Sequence, residues 1–134
     1  MNKKTFLLFL TYLVLTFVCA VGWHLALFKD YYMGLTMRRE PLIQLGVLSM
    51  LIQAGIMAYL YPLFYKGGEP LKTGAKFGLI MGLFMGSYGV LAEAGKFDVG
   101  PLGAWFLHEG IYFPLQFTII GAVMGLIYGR SGVK

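Results

Sequence analysis

Apolar residues fill four runs of 18 or more positions, and short polar stretches separate them. Runs of that length match the hydrocarbon thickness of a bilayer at about 1.5 Å of rise per helical residue. The pattern predicts four transmembrane helices over residues 5–28, 41–64, 74–94 and 102–128, in one domain covering 1–134. The fold class is therefore an all-α integral-membrane four-helix bundle. Lys3, Lys4 and Val18-Cys19-Ala20 mimic a secretory leader with a cleavage site. The apolar run, however, continues through Trp23 to Phe28, long enough to span.

Within the third run, Gly74, Gly78, Gly82 and Gly86 recur at every fourth position. On a helix they form one inclined ridge, about 18 Å long, without side chains. Such a face lets two membrane helices approach backbone to backbone. A second ladder, Gly121, Gly125 and Gly129, lies in the fourth run. Antiparallel helices would bring Gly78 and Gly125 to one depth, so the pattern predicts glycine-ladder packing of the third helix on the fourth. Alternatively, one ladder faces a second copy of the chain. Pro41 opens the second helix, Pro62 lies near its end, and Pro114 predicts a kink below Gly110. Lys66-Gly67-Gly68-Glu69-Pro70 reads as a turn and lacks the lysine of a phosphate-binding loop.

Composition agrees with a membrane assignment: 58% of residues are hydrophobic, 13% are charged, and mean hydropathy is +0.72. A soluble domain has about a quarter of its residues charged. The net charge of +5 reads as topology, and nothing suggests nucleic acid. Lys3, Lys4, Lys66, Lys72, Lys76, Arg130 and Lys134 fall on one side, seven in all; Lys29, Arg38, Arg39 and Lys96, four, fall on the other. Positive-inside asymmetry then places both termini in the cytoplasm, N-in and C-in, of a multi-pass inner-membrane protein. Trp23, Tyr31, Tyr32 and Trp105 form an expected outer aromatic belt, with Tyr61, Tyr65 and Tyr128 as the inner one.

Candidate chemistry gathers at the outer level. His24 closes helix one, Glu93 closes helix three, and His108 and Glu109 open helix four. Tyr112 and Gln116 continue inward from His108, while Gln44, Ser49 and Gln53 lie on helix two. Ionisable groups at membrane depth usually face the bundle interior, so these could line a polar vestibule open to the outside. One reading is a proton, metal-ion or small polar ligand site, since imidazole and carboxylate suit transition metals. The other is structural, with His24 and Glu93 reaching headgroups while His108 and Glu109 pair across helices. The run from His108 begins like a zinc-protease helix but has Tyr112 where a second histidine is required. No metal and no cofactor are assigned. Arg38, Arg39 and Glu40 read as a solvated loop, or as a lipid-phosphate contact. The single Cys19 reads as a small hydrophobe, Met50, Met57, Met81 and Met85 as core filler, and no nucleophilic triad is present.

Gly22-Trp23, Phe28, Tyr31-Tyr32-Met33, the glycine-rich third helix, Trp105 and Gly121-x-x-x-Gly125-x-x-Tyr128 form a further pattern. It resembles small four-helix bacterial inner-membrane proteins grouped as a domain family of unknown function. That resemblance implies an inner-membrane bundle and carries over no activity or site. The expected function is non-enzymatic, exerted through helix contacts in the lipid bilayer, as a homo-oligomer or an accessory subunit of a membrane complex. A small transporter or channel using the outer His/Glu cluster is the alternative, and an integral-membrane enzyme is third.

Overall fold

The structure, a computed structural model, describes residues 2–35 and 42–129. Helices account for all of its regular structure, with no strand among the described residues. Arg38, Arg39, Glu40, Pro41, Arg130 and Lys134 lie outside the described residues, so the readings placed on them stand where the sequence left them.

Helix α1, Lys3–Ala20, starts at Asn2, whose side-chain oxygen accepts from the Thr5 N–H at 2.8 Å. This cap satisfies one of the free N–H groups of the first turn. Beyond Ala20 the chain widens into a π-helical stretch, Val21–Leu27. A short helix α2, Lys29–Met33, follows where the sequence suggested a loop. Helix α3 covers Ile43–Phe64. The turn after it uses Gly67 and Gly68 at φ 104° and 95°, a region that side-chain-bearing residues rarely enter.

Helix α4, Pro70–Gly86, begins four residues before the first ladder glycine. Pro70 sits in the first helical turn, where a missing N–H leaves no bond unmade. The polar residues Lys72, Thr73 and Lys76 concealed this turn from a hydropathy reading. A second π-helical stretch, Ser87–Ala92, continues α4. Helix α5, Leu102–Gly129, runs through Pro114 as one element. Four helices, Lys3–Leu27, Ile43–Phe64, Pro70–Ala92 and Leu102–Gly129, are long and apolar enough to cross a membrane. Their outward faces carry residues such as Val14, Phe17, Leu83 and Phe84, each more than half exposed.

Helix α5 lies against both α1 and α4. On the α4 side the glycines leave no room for a methyl group. A Cβ at Gly78 would overlap the Phe117 carbonyl oxygen, and one at Gly82 would lie 2.7 Å from the Phe113 oxygen. One at Gly121 would stand 2.7 Å from the Gly78 Cα. Gly125 faces Gly74 and Pro70, and Gly129 faces Pro70. The register is thus one turn from the pairing of Gly78 with Gly125 that the sequence suggested. Pro70, at the start of α4, occupies the level of Gly125 and Gly129.

The main core sits in the half of the bundle that holds the N-terminus. Leu8 and Tyr12 of α1, Met57 and Tyr61 of α3, Phe77 of α4, and Ile120 and Met124 of α5 meet there. At the distal end a smaller cluster joins Val90, Val99 and Trp105. Trp105 donates its indole N–H to the Val90 carbonyl at 2.9 Å, inside the second π stretch. It is therefore a core residue and not part of an interfacial belt.

Candidate functional site

Three elements meet at the distal end of the bundle. The first π stretch supplies Trp23 and His24, α2 supplies Tyr31 and Tyr32, and the opening turns of α5 supply His108 and Glu109. Glu109 is only 6% exposed. Its Oε1 accepts a hydrogen bond from the Tyr32 hydroxyl at 2.5 Å, and the His24 Nε2 lies 3.7 Å away. The Trp23 indole donates to the Tyr32 oxygen at 3.0 Å. An indole nitrogen can only donate, so the direction of the chain is fixed: Trp23 to Tyr32, Tyr32 to Glu109.

The tautomer of His24 follows from the same reasoning. Its Nδ1 lies 3.0 Å from the Ala20 carbonyl oxygen, which can only accept. Nδ1 therefore carries a proton, and Nε2 attracts Glu109 only when it carries one as well. His108 repeats the arrangement, with Nδ1 donating to the Ala104 carbonyl at 2.7 Å. Its ring lies flat on Tyr31, with centroids 4.0 Å apart and planes 10° from parallel. Glu109 pairs across elements, with Tyr32 and His24, whereas the side-chain hydrogen bond of His108 stays within α5. Adjacent helical residues diverge by about 100°, so Glu109 meets Tyr32 and His24 while His108 packs on the rings of Phe28 and Tyr31.

Rings fill the space around the carboxylate. His24 packs on Tyr32 and Tyr112 at 4.3 and 4.6 Å between centroids, and Phe28 meets His108 at 4.7 Å. Burial, then the bond to Glu109, pushes the Tyr32 hydroxyl well above the ordinary tyrosine range. Burial, then the charge of Glu109, raises Tyr31.

The remaining candidates are dispersed. Tyr112 and Gln116 lie one and two turns below Glu109 on the buried face of α5. Gln53 belongs elsewhere: it accepts from Tyr12 at 2.6 Å and donates to Ser49 at 3.2 Å, linking α1 to α3. Glu93, half-buried beyond α4, makes no side-chain hydrogen bond or ion pair with His24, His108 or Glu109 among the described residues. Among those residues no three His, Cys, Asp or Glu side chains stand close enough to hold a metal ion. Gly74, Gly78, Gly82, Gly86, Gly121, Gly125 and Gly129 lie apart from this cluster, along α4 and α5.

Hydropathy reasoning assigned Trp23 and Tyr32 to a headgroup belt, whereas Tyr32 turns inward to the carboxylate and Trp23 donates to Tyr32. The missed signal is composition. Phe28, Tyr31 and Tyr32 give that connecting segment an aromatic face, which packs on His24 and His108.

Neither protein-family models, nor curated proteins, nor solved structures give a match to the chain.

Proposed function

We propose that this is a non-enzymatic, multi-pass inner-membrane protein that works through helix contacts, as a homo-oligomer or an accessory subunit of a membrane complex. One observation carries the reading. Residues 42–49 of the α3 region are all exposed, including Gln44 and Ser49, whereas Ala54, Met57, Ala58 and Tyr61 pack into the core. Half of a membrane-crossing helix thus stands away from its own bundle while carrying polar side chains. Polar groups in membrane helices gain by meeting other helices, so a protein surface is the fitting cover.

The chain with Cys19→Ala and Val47→Cys should form a disulfide-linked dimer, or a cross-link to a co-purifying subunit, on mild oxidation in membranes. Leu83→Cys, on an exposed face of α4, serves as the control. A monomeric mass in mild detergent, with no companion and no cross-link above that control, would sink the assembly reading.

Within each copy, glycine-mediated pairing of α4 and α5 supplies the rigid unit. The absence of side-chain room on either side supports this part of the proposal. Both termini are assigned to the cytoplasm on the seven-to-four division of lysine and arginine. In intact cells an impermeant thiol reagent should label Asp98→Cys but not Lys72→Cys, each in the Cys19→Ala chain. The reverse pattern would invert the topology.

A second reading is favoured by Glu109 itself. A buried carboxylate held by Tyr32 and facing His24 is suited to binding a proton or a small polar ligand, as a small transporter requires.

A further inference from the structure

His24 Nε2 and Glu109 Oε1 stand 3.7 Å apart. The proton of the imidazole is held at Nδ1 by the Ala20 carbonyl, so a neutral ring turns the Nε2 lone pair toward the carboxylate. Tyr32 cannot fill the gap, because its one hydroxyl hydrogen goes to Glu109 and its oxygen accepts from Trp23. Nor can a water stand in line between the two atoms. Two hydrogen bonds of about 2.8 Å need more room than 3.7 Å.

Two acceptors thus face each other where burial makes an unmatched charge costly. Glu109 is buried, and the rings of Tyr32 and Tyr112 lie 4.3 and 4.6 Å from the imidazole. One further proton removes the conflict. On Nε2 it makes an ion pair, on Oε1 it makes a hydrogen bond to Nε2, and in either place it belongs to the pair. The way in is through His24, whose side chain is 30% exposed against 8% for Glu109. The other ionisable groups nearby are few. Helix α5 brings His108 and Tyr112, and α2 brings Tyr31 and Tyr32 with the exposed Lys29 and Asp30. Cys19 lies more than one turn back on α1, and Glu93 makes no hydrogen bond or ion pair with His24 or Glu109 among the described residues. Of these only His108 is of a type that titrates near neutral pH.

We infer that His24 and Glu109 form a binding site for one proton, and that the bound proton fastens the π stretch Val21–Leu27 to α5. The inference rests on the reading of Glu109 as a proton-binding group and adds what the proton does. Acidity at the distal end tightens the contact between the π stretch and α5, and alkalinity loosens it. The change stays local, since Tyr32 holds Glu109 in both states and the Ala20 carbonyl holds the imidazole. Transport is not required.

The test is the pH dependence of reversible unfolding of the purified protein in mild detergent. An unfolded chain releases its histidine protons near pH 6.5, so a folded state that keeps one holds an extra proton above that pH. The folded-to-unfolded ratio should therefore fall as pH rises above about 6.5, by up to about tenfold per pH unit, until the folded site also lets go. His24→Gln, whose amide offers Glu109 a permanent N–H, should flatten this profile. His108→Gln should leave it as in the parent. A parent profile as flat as that of His24→Gln, or a slope lost with His108 instead, would overturn the proposal. Should His24→Gln fail to fold, ring-nitrogen NMR of the isotope-labelled His108→Gln protein decides, because His24 is then the one histidine left. At about pH 7 its Nε2 should be protonated or hydrogen-bonded, and the signature of a bare Nε2 would overturn the site. Acid-driven proton flux into vesicles tests the transporter reading separately. A steep pH profile without flux would support the proton site and remove only transport.

Discussion

Gly78→Ala separates α4 from α5 and lowers the stability of the folded protein by about 3 kcal/mol, a large cost for one added methyl group. The reason is geometric. The new Cβ would overlap the Phe117 carbonyl oxygen and approach the Thr118 Cα to 3.0 Å, and neither backbone group can rotate away. The helices must move apart along the whole seam, and the contacts of Gly74, Gly82 and Gly121 loosen together. Gly110→Ala, on α5 itself, is the control, because nothing lies within 4 Å of its Cβ. That change should be neutral or should stabilise, since alanine is the better helix former by about 1 kcal/mol. Both variants can be compared by reversible unfolding in mild detergent. Equal stabilities would show that the seam is not what pairs these helices.

The second large effect is expected at Tyr32. Tyr32→Phe removes the donor to a buried carboxylate and should lower stability by about 2 kcal/mol, within the range for hydrogen bonds to charged groups. Tyr31→Phe, one residue away, should do almost nothing, because the Tyr31 hydroxyl is buried without a hydrogen-bond partner. The pair thus separates the bond from the ring. The pH dependence follows from the same contact. The folded state holds Tyr32 protonated above its ordinary range near 10, so its contribution is complete below about pH 10 and declines at higher pH. Loss of stability on the alkaline side should therefore be shallower in Tyr32→Phe than in the parent. Identical alkaline profiles would mean that the Tyr32 proton does not stabilise the fold.

The sequence announced the spans because hydropathy acts over 20 residues at a time and tolerates local error. Gly74 to Gly86 and Gly121 to Gly129 were visible for a similar reason, a repeat along one helix. The centre of the candidate site was not visible in this way. Tyr32 and Glu109 are 77 positions apart, and no periodicity connects them. Nor does composition mark the stretches Val21–Leu27 and Ser87–Ala92 as π-helical. Their residues would serve equally in an α-helix. Glu93 shows the limit of reasoning from depth. It lies beyond the contact of Val90 with Trp105, farther out along the bundle than Glu109, so a shared outer end in the sequence did not bring it to the carboxylate.

The bond between Tyr32 and Glu109 also bears on how the molecule is made. A chain emerges N-terminus first, so Trp23, His24 and Tyr32 are made before Glu109. The carboxylate, the costlier group to bury unpaired, therefore arrives last, when its donor is already made. Helix α5 arrives with two appointments to keep, the glycine face of α4 and the hydroxyl of Tyr32, and both depend on its rotation about one axis. Docking of the last helix is thus the step at which both contacts close together.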